Sequence, residues 1–235
     1  IASRLASGSL SARDHVESCL AAIDCEDGAR AFITVNADTA RKQANRIDKL
    51  RSAGAPLPPF AGVTLSVKDL FDIAGEVTTA GSRVLADAKP ADRDATVLAR
   101  LRAAGFIVIG RTNMTEFAYS GLGMNPHYGN PRSPFGRDQG GGRVAGGSSS
   151  GSAVSICDDM AAATIGTDTG GSTRAPAAFC GITGMKPTTT RMPSRGVYPL
   201  SASFDAAGPM AGSVACCAIL DDLMTGGEGL SLIHI

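Results

Sequence analysis

Two glycine-rich loops that carry serines are the first features of this 235-residue chain with a chemistry of their own: Gly146-Gly147-Ser148-Ser149-Ser150-Gly151-Ser152 and Gly170-Gly171-Ser172. Glycine lets backbone approach a ligand closely and take up positive φ. Successive N–H groups in such a turn can converge on an anion. A serine hydroxyl at its end would stand beside donors suited to a developing oxyanion, which is what acyl transfer needs. A serine nucleophile also needs a base. Histidine is scarce: His15 falls on an expected N-terminal helix, His127 in a loop and His234 in a suspect tail. A Ser-His-Asp arrangement is therefore poorly served.

Lysine is the alternative base. Lys42 and Lys49 fall on a charged helix face, and Lys89 precedes Pro90 in a loop. Lys68 closes an apolar strand, where burial would lower its pKa and leave it neutral enough to accept a proton. A strand-end ion pair with Asp69 or another carboxylate would account for the same residue. From the residues alone both readings stay open. Neither loop has the lysine before Ser/Thr that a P-loop requires, and no GxGxxG follows a strand. A flexible linker explains the composition of the first loop but not the regular elements on both sides of it.

Those elements follow from periodicity. Ser11 and Asp14 have capping-box spacing, and Val16, Cys19, Leu20 and Ile23 form an amphipathic stripe behind them. A second helix is expected from about residue 36 to 52, ended by Gly54 and the prolines 56, 58 and 59. Residues 63–67 alternate as a strand that Lys68 and Asp69 close. A helix over about 95–104 with Gly105 at its end precedes a buried strand at 106–110. Asn113 with Glu116 is expected to open another helix. Residues 125–152 read as a long loop, followed by a helix to about Met160, a strand at 161–165 and the second glycine-rich turn. The order strand, helix, strand predicts an α/β fold: a mixed, largely parallel sheet with right-handed crossovers, flanked by helices.

Composition bounds the function. Hydrophobic residues make up 43% and charged residues 19%, so a buried core is expected. The formal net charge of +0 supplies no field for nucleic acid or an anionic membrane. No apolar run is long enough to span a bilayer. Six cysteines lie scattered without a CxxC pair, so no metal site is expected; they read as reduced thiols of a cytoplasmic protein. The chain begins at Ile1, not Met, and is expected to be truncated. Leu230-Ser231-Leu232-Ile233-His234-Ile235 resembles the in-frame translation of a transposase end sequence from sequencing-library adaptors, so 230–235 is expected to be non-native. A short apolar strand is the other reading of it.

At the two serine loops the sequence resembles the amidase signature family. The resemblance runs through Gly146–Ala153, Gly166-Thr167-Asp168-Thr169-Gly170-Gly171-Ser172-Thr173-Arg174-Ala175-Pro176-Ala177, Phe179-Cys180-Gly181 and Gly184–Thr188. Upstream it includes Gly62-Val63, Val67-Lys68-Asp69 and Gly110–Phe117; downstream it includes Ser203-Phe204-Asp205 and Gly208-Pro209-Met210. It implies a serine amidohydrolase without cofactor, acting on a small-molecule carboxylic amide. It implies Ser172 as nucleophile, Ser148 as relay 24 residues earlier, behind a cis Gly147–Ser148 bond, and Lys68 as base. It further implies an oxyanion hole from the N–H groups of Thr169, Gly170, Gly171 and Ser172, with Ser149, Asp168 and Arg174 supporting the loop.

The same resemblance predicts a partial amidase domain over 1–229, with an N-terminal helical segment at 1–55 and a catalytic core at 60–229. Family domains are about twice this length, and Asp138-Gln139-Gly140-Gly141-Gly142-Arg143 is richer in glycine than the family pattern. A stand-alone amidase, with a homodimer as the assembly to test, is the first expectation. The rival is the glutaminase component of a glutamyl-tRNA amidotransferase, the one case in which nucleic acid would be a partner. That branch usually carries Gln after the loop arginine, whereas Ala175 follows Arg174 here. A catalytically inactive scaffold of the same fold is the third reading.

Overall fold

The computed structural model describes residues 1–227. Positions 230–235, read above as adaptor-derived, lie outside the described residues. Short helices α1 (Ala2–Ala6), α2 (Ala12–Ile23) and α3 (Glu26–Ala31) lead into strand β1 (Phe32–Val35) and the long helix α4 (Ala37–Ser52). Strand β2 (Thr64–Lys68), helix α5 (Thr96–Ala103) and strand β3 (Ile107–Thr112) follow. The second half holds α6 (Ser150–Cys157), β4 (Ala163–Asp168), α7 (Arg174–Cys180), β5 (Thr183–Gly184), β6 (Ala206–Ala211) and α8 (Val214–Thr225).

The six strands form one sheet in the order β1-β3-β2-β4-β6-β5. The mixed α/β sheet is the one expected, and its parallel part is the centre: β2 runs parallel to β3 on one side and β4 on the other. β1, β6 and β5 extend the sheet by antiparallel pairing. β1 lies between the two helices expected in the N-terminal segment, which thus contributes an edge strand to the same sheet. A single core of buried side chains runs from Leu5 to Met224. Among the described residues no helix is long and apolar enough to cross a membrane.

Local signals explain most boundaries. Ser11 accepts the N–H of Asp14 and starts α2, whose stripe Val16, Cys19, Leu20 and Ile23 is buried. Asp48 on α4 accepts the N–H groups of Ala12 and Arg13 at 2.8 and 2.9 Å, a second cap supplied from outside the helix. The helix expected from Asn113 does not form. The Asn113 side chain instead donates to the carbonyls of Arg30 and Gly129, at 2.9 and 2.8 Å, and only a short 3-10 turn at Glu116–Ala118 remains. Phe117 at φ 51° breaks helical geometry there. Asn113 Oδ1, the atom a cap would use, accepts the N–H of the adjacent Met114 at 2.8 Å and not one from a first helical turn.

β2 is buried on both faces. Successive strand residues point to opposite sides, so Thr64, Ser66 and Lys68 share one face. Their partners confirm it: Thr64 meets His15 and Cys19 of α2, Ser66 meets Ser155 of α6, and Lys68 meets Ser148 just before α6.

Candidate active site

Lys68 ends β2 with no solvent exposure. Its Nζ lies 2.8 Å from Ser148 Oγ and 2.9 Å from Thr167 Oγ1. Burial brings its pKa down from 10.5 to about 7, while the charges of Asp168 and Asp205 pull the other way. The ion pair with Asp69 does not form. Asp69 instead binds Arg111 Nε at 2.6 Å, accepts the N–H of Gly81 at 2.9 Å and takes the Thr79 hydroxyl. Strand alternation puts the two neighbours on opposite sides of the sheet, and the guanidinium neutralises the carboxylate there.

Ser148 follows a cis peptide bond, Gly147–Ser148. The bond sits in a tight cradle. The N–H of Gly147 donates to Gly121 O at 2.7 Å, and that of Thr115 to Ser148 O at 3.1 Å. Gly123 holds φ +80°, and a Cβ there would lie 2.3 Å from Gly146 O. Only glycine allows the loops to approach this closely.

The second loop closes on the first. Ser149 N–H donates to Ser172 O at 3.2 Å, and Ser149 Oγ donates to Thr167 O at 3.4 Å. Ser172 itself is 8% exposed. Its hydroxyl makes no hydrogen bond among the described residues.

Asp168 organises this turn. One oxygen accepts from Gly171 N–H at 2.7 Å and Arg174 Nη2 at 3.0 Å. The other accepts from Thr173 N–H and Oγ1 and from Arg174 Nε, at 3.2, 2.9 and 3.0 Å. Burial would raise this carboxyl, but Arg174, Thr173 and Gly171 together hold it well below the usual carboxylate range. Asp168 is fully buried, whereas the Arg174 side chain is 53% exposed, so the arginine meets solvent while its fork stays engaged.

This corrects one expectation. The Gly171 N–H points inward to Asp168 and is not free for an oxyanion, because a buried carboxylate needs its donors. The N–H groups of Thr169, Gly170 and Ser172 have no protein acceptor among the described residues. A Cβ at Gly170 or Gly171 would meet nothing within 4 Å, so one side of the turn is open.

The sequence reading missed two neighbours. Thr167 is the second partner of Lys68 and lies one residue before Asp168 on β4. Asp205 takes the Thr169 hydroxyl and accepts the N–H groups of Leu200 and Ser201, at 2.8 and 2.9 Å. Its position within the Ser203-Phe204-Asp205 match was the available signal. The histidines serve elsewhere: buried His15 Nε2 lies 3.1 Å from Thr64 Oγ1, and His127 Nε2 lies 2.8 Å from Glu116 Oε1. Among the described residues no group of three His, Cys, Asp or Glu side chains is placed to hold a metal ion.

Comparison with known proteins places this geometry. The amidase family model matches residues 14–229. The chain belongs to the amidase family. It is 44% identical over 227 residues to AtzE, a 1-carboxybiuret hydrolase component of Pseudomonas sp. (strain ADP), covering 96% of this chain and 49% of that protein. It is 41% identical over 226 residues to the A component of the glutamyl-tRNA(Gln) amidotransferase of Synechococcus sp. (strain WH7803), covering 96% and 45%. The solved peptide amidase of Stenotrophomonas maltophilia superposes with a TM-score of 0.83 at 35% identity, over 95% of this chain and 46% of that one. The chain thus spans about half the length of the curated relatives it matches.

Proposed function

We propose that this amidase-family chain carries the machinery of an amidohydrolase that cleaves a carboxylic amide C–N bond through a Ser172 acyl-enzyme. Neutral Lys68 accepts the Ser148 proton as Ser148 takes that of Ser172. Ser172 Oγ then attacks the amide carbonyl. The oxyanion is met by N–H groups of Thr169, Gly170 and Ser172. The relay returns the proton to the departing amine, and water hydrolyses the ester to free Ser172. The observation that carries this reading is the wholly buried lysine, 2.8 Å from the Ser148 hydroxyl. Asp168 and Arg174 hold the turn, and Asp205 holds Thr169 within it.

The substrate is a small amide, and the site of action is the cytoplasm, a reading supported by six free thiols. A second reading has support of its own: two of the relatives above are named as components of larger enzymes, a carboxybiuret hydrolase and an amidotransferase. Under it the same chemistry operates inside a multi-protein assembly. Ala175 after Arg174 favours hydrolysis of a free amide over the amidotransferase role.

The test is covalent labelling of the intact protein with a fluorophosphonate, read by intact mass. One adduct is expected, absent in Ser172→Ala and slowed in Lys68→Ala. A well-folded protein that takes no adduct refutes the reading and leaves the inactive scaffold. Glutaminase activity that appears only with partner proteins would assign the assembly role, and light scattering of the isolated protein would decide for or against a homodimer.

A further inference from the structure

Beneath the site lies a group of buried hydroxyls that the mechanism does not use. Ser66 Oγ of β2 lies 2.7 Å from both Ser155 Oγ of α6 and Thr164 Oγ1 of β4. Thr164 Oγ1 also donates to Ser66 O at 3.1 Å, and Ser155 Oγ lies 2.7 Å from Ser152 O; with one proton on each hydroxyl, the Ser66 and Ser155 protons are shared among the remaining three contacts. One turn earlier in α6, Ser152 Oγ lies 2.7 Å from Thr112 Oγ1 of β3. All five residues have no solvent exposure. Two strands, β2 and β3, are therefore joined to α6 by hydroxyl contacts, and β4 is joined to β2 through Thr164 and Ser66.

The placement of these contacts matters. α6 has only eight residues and begins two residues after Ser148. A helix this short is not stable by itself and takes its position from what it packs against. Ser66 stands two residues before Lys68 on the same face of β2, and Thr112 pairs with Lys68 in register. Thr164 pairs with Ser66 and stands three residues before Thr167, the other partner of Lys68. Each strand contact thus stands close to Lys68 or to its partner, and each helix contact lies on the element that follows Ser148. Apolar surfaces slide over one another at little cost, whereas hydroxyl pairs are directional and fix a separation.

We propose that Ser66, Ser155 and Thr164 are positioning residues that set the height of α6 over β2, and with it the separation between Lys68 Nζ and Ser148 Oγ. This rests on the Ser172–Ser148–Lys68 reading above. Proton transfer depends steeply on that separation, and a misplacement of about 1 Å costs on the order of a hundredfold in rate. Removing one hydroxyl also leaves buried partners unsatisfied and destabilises the fold. Removing all three polar partners together relieves that penalty without restoring the directional link.

The experiment compares Ser155→Ala with the triple variant Ser66→Ala/Ser155→Ala/Thr164→Val in the intact protein. Fluorophosphonate acylation is followed against probe concentration, and melting temperature is measured on the same samples. In both variants the limiting acylation rate should fall on the order of tenfold to a hundredfold, with the half-saturating probe concentration unchanged. The triple variant should melt closer to wild type than Ser155→Ala while remaining as slow. A triple variant that acylates at the wild-type rate, or rates that recover in step with melting temperature, overturns the proposal. If Lys68→Ala is slow while both hydroxyl variants run at the wild-type rate, the hydroxyl proposal alone fails. If Lys68→Ala acylates like wild type, the Lys68 reading fails and takes this one with it.

Discussion

The buried lysine makes acylation a direct function of pH. A lysine with the ordinary value of 10.5 would be neutral in roughly one molecule in three thousand at pH 7. With its pKa brought to about 7 by burial, Lys68 is neutral in about half. The site therefore holds on the order of a thousandfold more free base at neutral pH than an exposed lysine would supply. The perturbation is a pH sweep from about 6 to about 10 on the fluorophosphonate reaction, wild type against Lys68→Ala. The wild-type rate should climb about fivefold between pH 6 and 7, about twofold more to pH 8, and then level off, because only the neutral amine accepts the Ser148 proton. Lys68→Ala should lose about 10²–10⁴ in rate, the usual contribution of a general base, and lose that step as well. A wild-type profile that keeps climbing to about pH 10 refutes the argument, since it would mean that burial has not displaced this lysine from its ordinary value. A profile unchanged in Lys68→Ala would remove the residue from the mechanism.

The same displacement affects stability. Between pH 7 and 10.5 the unfolded chain binds the Lys68 proton that the folded chain has released, so the folded state gains stability as pH rises through that window. Lys68→Met should therefore raise the melting temperature near pH 7, with a gain that shrinks toward pH 10; a gain independent of pH would show that Lys68 does not titrate there. Asp168→Ala removes the shared acceptor of Gly171, Thr173 and Arg174, and should cost about 2–4 kcal/mol in urea unfolding together with the Ser172 adduct. Retained labelling with near wild-type stability would show that the turn holds its own shape. Gly123→Ala should abolish labelling, because its Cβ would fall 2.3 Å from Gly146 O in the Ser148 loop. Gly170→Ala should fold within about 0.5 kcal/mol of wild type, since its Cβ meets nothing within 4 Å, and should change amide turnover only. Equal effects of these two glycine variants in urea unfolding and labelling would contradict the described loop.

Much of the site could be read from the sequence because the chemistry is concentrated in short stretches. Lys68 stood out as the lysine that closes an alternating strand, and the two serine loops as glycine-rich turns between regular elements. What the sequence could not decide was whether Lys68 pairs with Asp69, its immediate neighbour; the pleat and a guanidinium 42 positions away take Asp69 out of that pair. Asp205 reaches the Thr169 hydroxyl across 36 residues, a distance no local pattern encodes. The Gly171 N–H was expected on the oxyanion because the motif was read as a row of donors. A buried carboxylate three residues earlier takes that donor first. The helix expected from Asn113 failed because its spacing imitates a cap, while its Oδ1 accepts from the adjacent Met114 and Phe117 leaves helical geometry. β6 carries Pro209 opposite Ile165 and Gly208 just before it, a composition that argues against a strand when read without its neighbours.

The alternation of Lys68 and Asp69 across the sheet also bears on how this region tolerates change in length. β2 pairs with β3 as Leu65 to Val108 and then Ser66 to Gly110, so Ile109 is an extra residue in the ladder. That offset sets which residues of β3 stand opposite Lys68 and Asp69. Inserting one residue into β3 beyond the bulge, between Gly110 and Arg111, would turn Arg111 to the other face. Arg111 would leave Asp69, and the amine would share its side of the sheet with charge. Substitutions here are graded in effect, whereas a one-residue indel would invert the electrostatics of the whole strand pair. Lineages descended from such a chain can therefore vary the composition of β2 and β3, but not the count of residues between the bulge and the base.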